Sequence, residues 1–154
     1  MKEKQYDKAL KDLILLVQLV NGSRISEAIE FTEKAILTGE KKLTIKAKKG
    51  SNERIMIMPQ HISEAEISKI RKWLKISGIP SRDSVRMYCV RRFGINTHSL
   101  RYALITYLAK RGVSPQLITH FTGHRKMDFI LRYTEKITAE QVILEIVSET
   151  LQNL

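Results

Sequence analysis

The chain has 154 residues, enough for one well-formed hydrophobic core and too few for two ordinary domains. Its 27 lysines and arginines against 16 acids give a net charge of +11, which points to a polyanionic partner, either nucleic acid or an anionic membrane surface. Cys89 is the only cysteine, which excludes an internal disulfide and a cysteine-ligated zinc site, and no apolar run approaches the length of a membrane span.

Residues from about Lys4 to Val20 predict a helix with apolar positions at Leu10, Leu13, Ile14 and Val17 and a stop at Asn21-Gly22. The run LILLVQLV within it is short, interrupted by Gln18 and preceded by Glu3, Asp7 and Asp12, so it reads as a core helix and not as a signal peptide. An intracellular location is expected, cytoplasmic or nucleoid-associated, and Asn21-Gly22-Ser23 is then no glycosylation acceptor. Ser23 can cap a second helix, from about Arg24 to Ile36, with Glu27 and Glu30 in its early turns.

The period then changes. Apolar residues alternate in LTIKA (43–47) and RIMIM (54–58), and Gly50-Ser51-Asn52 between them is turn chemistry, so Leu43–Met58 predicts a β-hairpin with Lys46, Lys48 and Lys49 crowding its tip. After Pro59 the pattern is helical again over Glu64–Ser77, Ser81–Phe93 and Thr97–Arg111, separated by Gly78-Ile79-Pro80 and Gly94 and stopped by Gly112. Ser114-Pro115 opens a short helix to about Phe121, and a segment from about Lys126 to Glu135 puts Phe129, Ile130 and Tyr133 on one helical face.

Thr138 opens a last helix with Val142, Ile143, Ile146, Val147 and Leu151 on one side. Residues 134–154 hold four glutamates against Lys136 alone, a net of −3, which leaves +14 on the preceding 133 residues. The expected fold is mainly α with one small antiparallel β-hairpin, in a single domain over residues 1–154. Residues 1–137 form its core, and 138–154 a C-terminal helix that docks in cis or on a neighbouring subunit.

Within Thr97–Arg111, the stripe Leu100, Ala103, Leu104, Tyr107 and Leu108 is expected to face the core. His98 and Arg101 fall outside it, three apart in the first turn, where they can converge near free backbone N–H groups and the positive end of the helix dipole. That arrangement suits a phosphate. By itself such a helix start is more often two solvated polar residues, a helix-opening Arg24 or a lysine-rich turn at Lys49 means little, and Tyr133 alone reads as a core tyrosine with its hydroxyl tied to a partner.

Read in order, however, Arg…Lys…His-x-x-Arg…Gly-His…Tyr resembles the catalytic domain of the tyrosine recombinases, the phage-integrase superfamily. NGSRISEA (21–28) resembles the family's first arginine box and KKGSNERIMIMP (48–59) its hairpin lysine box. THSLRYALITYLAKRG (97–112) resembles its His-x-x-Arg box and FTGHRKMDFILRYTE (121–135) its Gly-His…Tyr box. The sequence departs from the pattern at Tyr102, where a second histidine often follows the arginine, and at Phe121-Thr122, where a leucine often precedes Gly-His. The family also usually carries a DNA-clamping domain ahead of the catalytic one, whereas here the resemblance begins almost at Met1.

The resemblance implies a site-specific recombinase or integrase domain of a mobile element, virus or plasmid, which cleaves and rejoins double-stranded DNA through a 3′-phosphotyrosine. Arg24 and Arg101 would clamp the phosphate, Lys49 (with Lys48 as rival) would protonate the leaving oxygen, and His98 would act as base. His124 would add a donor, Tyr133 would be the nucleophile, and Glu27 would support the site. No metal or small-molecule cofactor is expected, and the partners implied are DNA and further copies of the chain, as a dimer or tetramer. A type IB topoisomerase and a non-catalytic DNA-binding protein of the same fold are the rivals. A membrane-surface protein is disfavoured, because its charge should follow one helix face and not converge from four segments.

Overall fold

Leu10, Leu13, Ile14 and Val17 lie buried on α1 (Lys2–Asn21) in the computed structural model, which describes residues 2–46, 53–124 and 126–153. Leu15 and Gln18 are buried as well, so α1 is enclosed on more than one side. It packs against α2 (Ile25–Thr38), α3 (Glu64–Ser77), α4 (Arg82–Phe93) and α5 (Thr97–Lys110). Gly22 turns the chain out of α1 at φ +55°, and a Cβ there would stand 2.8 Å from Leu104 Cδ2, so both backbone and space require glycine.

The hairpin pairs β1 (Lys42–Lys46) with β2 (Glu53–Ile57), antiparallel, with Leu43 opposite Met56 and Ile45 opposite Arg54. Its tip, with Lys48 and Lys49, lies outside the described residues. Asn21 serves as an extra edge for β2: Ile57 N donates to Asn21 Oδ1 at 2.9 Å, and Asn21 Nδ2 donates to Ile57 O at 2.9 Å. The end of α1 and the hairpin are therefore held as one unit.

Two apolar clusters result. The larger is built from α1, α2, the hairpin, α3 and α4, around Leu10, Ile14, Phe31, Ile36 and Met56. The smaller joins Ile105 and Ala109 of α5 to Ile118 of α6 (Pro115–Thr122) and to Ile130 and Ile137 of α7 (Met127–Gln152). The fold is mainly α with one two-stranded antiparallel sheet. Among the described residues, no helix is long and apolar enough to cross a membrane.

Three local expectations need correction. Ser23 does not cap α2: Arg24 holds the N-cap position with no side-chain cap bond, and the buried Ser23 hydroxyl has no partner among the described residues. The face of α5 turned inward is Thr97, Arg101, Ile105 and Ala109, while Ala103 and Tyr107 are exposed. A bonded arginine can occupy a buried stripe, and apolar periodicity alone cannot register that. Finally, α7 runs unbroken through residue 138, because Thr138 Oγ1 donates back to Thr134 O at 2.9 Å inside the helix and caps nothing.

Candidate active site

The seam between the two clusters is polar. Arg24 opens α2, and one turn later Glu27 is fully buried. A buried carboxylate must be paired, and Glu27 takes two partners: Arg24 Nη1 donates to Oε2 at 3.2 Å and Arg54 Nη1 to Oε1 at 3.4 Å. Arg54 also donates from Nη1 to Thr122 O at 2.9 Å and from Nη2 to Asn21 O. Arg101, buried on α5, donates from Nη1 to Gly22 O at 2.9 Å and to the same Thr122 O at 3.1 Å. The turn after α1 and the end of α6 are thus tied together by two guanidinium groups.

Three guanidiniums gather near one carboxylate that pairs with only two of them, so the cluster is short of negative charge. Burial first, then repulsion from Arg24 and also from Arg54, lowers the Arg101 pKa to about 10. The Arg54 pKa is lowered too, chiefly by burial, against the pull of Glu27. Both remain cationic at neutral pH, and an arriving anion would relieve the imbalance. Arg24 has its side chain 22% exposed and leads from the cluster to solvent.

Gly123 ends α6 with φ +68°, a left-handed turn that glycine adopts without strain, and the chain reverses so that His124 meets Arg101. Arg101 Nη2 lies 3.1 Å from Nδ1 and 3.2 Å from Nε2 of the ring, and Thr122 Oγ1 lies 2.5 Å from Nδ1. Thr122 Oγ1 already donates its proton to Ile118 O at 2.8 Å. A neutral His124 ring carrying its proton on Nδ1 suits both neighbours, donating to Thr122 Oγ1 and accepting from Arg101 at Nε2. Burial, with Arg101, Arg24 and Arg54 adding, lowers its pKa to about 3.

That shift has a signed consequence. The folded pKa of His124 lies below the unfolded value of 6.5, so as pH falls from 6.5 toward 3 the unfolded chain binds a proton that the folded chain refuses. The stabilisation is fully present above 6.5 and is lost across that window. Thermal melting at pH 7 and pH 4.5 should show a larger acid loss in the wild type than in His124→Gln; equal losses would contradict this assignment.

Tyr133 lies half-buried on α7, its ring stacked on Phe129 at 6.1 Å, which in turn stacks on His124 at 5.9 Å. Its hydroxyl is 2.6 Å from Thr106 Oγ1, and among the described residues no hydrogen bond joins it to an arginine. His98 is exposed at the other end of the same line on α5: its ring is 6.0 Å from Tyr102, whose ring is 6.0 Å from Tyr133. At about 1.5 Å rise per residue, Thr106 lies about 12 Å along the helix from His98.

Of the sequence candidates, Arg24, Arg101 and His124 come together around Glu27 and Thr122. Tyr133 is linked to them through Phe129, and His98 stands apart on the surface. Lys49 lies outside the described residues. Arg54 was not among the candidates. It was legible from parity, since 54, 56 and 58 share one face of the hairpin and a charge on the face carrying two buried methionines calls for a partner.

The chain is 39% identical over 130 residues to a putative integrase of Acidianus two-tailed virus, a match covering 84% of this chain and 53% of that protein. It is 30% identical over 169 aligned positions to an uncharacterized protein of Methanocaldococcus jannaschii, covering 94% of this chain and 76% of that protein. The chain belongs to the family of this Methanocaldococcus protein. A putative integrase of Sputnik virophage is 28% identical over 156 positions, covering 84% of this chain and 68% of that protein. The chain thus spans about half the length of the Acidianus virus protein and more of the other two, and two of these three relatives are named putative integrases. No family model and no solved structure matches it.

Proposed function

We propose that this chain is the strand-breaking and rejoining domain of a DNA integrase of the tyrosine recombinase type. The observation that carries the reading is the cluster of Arg24, Arg54 and Arg101 around a single buried carboxylate, Glu27. Its members come from the segments that resemble the recombinase boxes, and relatives of the chain are named integrases.

The chemistry needs those groups. Attack by a phenol on a DNA phosphodiester gathers negative charge on the non-bridging oxygens, and fixed guanidiniums stabilise it bidentately. Arg24 would meet the phosphate from the solvent side, and Arg101 Nη2 would turn its donor from His124 to a phosphate oxygen. The bond from Tyr133 Oη to phosphorus forms as the bond from phosphorus to the 5′-oxygen breaks. The phenol proton passes to His98 and a proton from Lys49 goes to the leaving oxygen. The product is a 3′-phosphotyrosine and a 5′-hydroxyl. Because a phosphoester bond replaces a phosphoester bond, another 5′-hydroxyl can reverse the step without ATP. Before attack, Tyr133 has to leave Thr106 and approach the start of α5, which requires the first turns of α7 to shift.

The distal half of α7 exposes Val142, Ile143, Leu144, Ile146, Val147 and Leu151 between glutamates. An acidic apolar helix on a chain with a basic body fits a second copy, so this segment is assigned to subunit contact on DNA, and residues 1–154 to a single catalytic domain. Strand exchange between two differently labelled duplexes carrying the target site tests both points. Joined hybrids are expected from the full chain, and few or none after deletion of residues 139–154. Relaxation of a supercoiled circle without hybrids would make the protein a topoisomerase, and hybrids from the deleted chain would remove the tail from assembly.

A further inference from the structure

We propose that Arg54 is a positioning residue that sets both clamping arginines at once, Arg24 through Glu27 and Arg101 through the Thr122 carbonyl. The idea deepens the recombinase reading and takes its kinetic readout from it.

Arg54 is only 4% exposed and both of its terminal nitrogens are engaged, Nη1 with Glu27 and Thr122 O and Nη2 with Asn21 O. Its Nε is buried and has no partner among the described residues, and with only 4% of the residue exposed a phosphate at the surface does not reach it, so Arg54 is not itself a clamp. Nor does it serve as core filling. It occupies the buried face of β2, opposite Ile45, where a methionine would fill the space without the cost of burying a guanidinium. What only the charged fork supplies is a connection among three segments: Asn21 at the end of α1, Glu27 in α2 and Thr122 at the end of α6.

Each connection ends on a proposed active-site group. Glu27 pairs with Arg54 through one oxygen and with Arg24 through the other, so Arg54 fixes the carboxylate that orients the more exposed arginine. Thr122 O accepts from Arg54 and Arg101 together, which uses both of its lone pairs and fixes the two guanidiniums relative to each other. The hydroxyl of the same residue holds His124. Displacing Arg54 should therefore misalign the site without removing a group that touches DNA.

Arg54→Lys keeps the charge but not the fork. Three quantities are read on it: affinity for target DNA, the rate of covalent adduct formation at saturating nicked DNA, and titration of the His124 ring by NMR. The expected result is unchanged affinity, an adduct rate about 10–100-fold lower, and a His124 pKa moved up from about 3 toward 6.5 as its corner loosens. Wild-type rate and wild-type titration in a folded Arg54→Lys would overturn the proposal. So would affinity falling in step with rate, since Arg54 would then be a ligand of DNA. If the lysine variant does not fold, Glu27→Gln combined with Arg54→Met removes the buried charges as a pair and should show the same rate loss; normal cleavage there would equally sink it. Should the wild type itself form no adduct, the recombinase reading fails, and the His124 titration alone still decides whether Arg54 holds this corner.

Discussion

Tyr133→Phe should bind target DNA as the wild type does and form no denaturant-resistant adduct with it. Phenylalanine keeps the ring that stacks on Phe129 and lies against Tyr102. It loses the oxygen that would attack phosphorus, along with the hydrogen bond to Thr106. That bond is worth about 0.5–1.5 kcal/mol, so the melting temperature should fall only slightly and the absent adduct cannot be ascribed to unfolding. An adduct persisting in this variant would mean that another residue is the nucleophile.

Arg24→Ala should slow adduct formation by about 10²–10³, the usual effect of deleting one donor aimed at transition-state charge. Its stability should change little, because Glu27 keeps its bond from Arg54. Arg101→Ala should lose as much rate and be less stable, since it withdraws two donors from buried carbonyls, Gly22 O and Thr122 O. Gly22 O left unpaired costs about 1–3 kcal/mol, while Thr122 O keeps its bond from Arg54, and relief of repulsion from Arg24 and Arg54 offsets part of the loss. Arg24→Lys should recover only part of the rate, because an ammonium cannot make the bidentate contact. Single-turnover cleavage and thermal melting measured on the same preparations separate the two arginines. Rates equal to wild type in both alanine variants would remove the cluster from the chemistry.

Much of the architecture was written in local sequence. Asn21-Gly22, Gly78, Gly94 and Ser114-Pro115 stand at element boundaries in the fold. These are signals within a few residues of one another, and short-range backbone chemistry decides them. Long-range facts were not legible in the same way. Nothing near Arg101 says that its guanidinium will be buried against the carbonyls of Gly22 and Thr122, residues 79 and 21 positions away. The apolar stripe of α5 was misread for that reason. Thr138 looked like a cap because threonine often is one, but no glycine or proline breaks the preceding turn and the helix continued. The clustering of Arg24, Arg101 and His124 was expected from the resemblance of their boxes, whereas Arg54 belonged to none of its named positions; strand parity put it on the buried face, and only the fold showed its partners.

Covalency is the central claim, and one measurement reaches it most directly. Wild-type protein is incubated, in chelator, with a nicked duplex carrying its target site, so that the short 5′-hydroxyl fragment released by cleavage diffuses away and the intermediate is trapped. The adduct is then digested with protease and nuclease, and the nucleotide-bearing peptide is sequenced by mass spectrometry. One modified peptide is expected, from the start of α7, with a 3′-phosphate joined to Tyr133. A nucleotide on any other residue, a linkage to a 5′-phosphate, or no adduct on DNA that the protein demonstrably binds would contradict it.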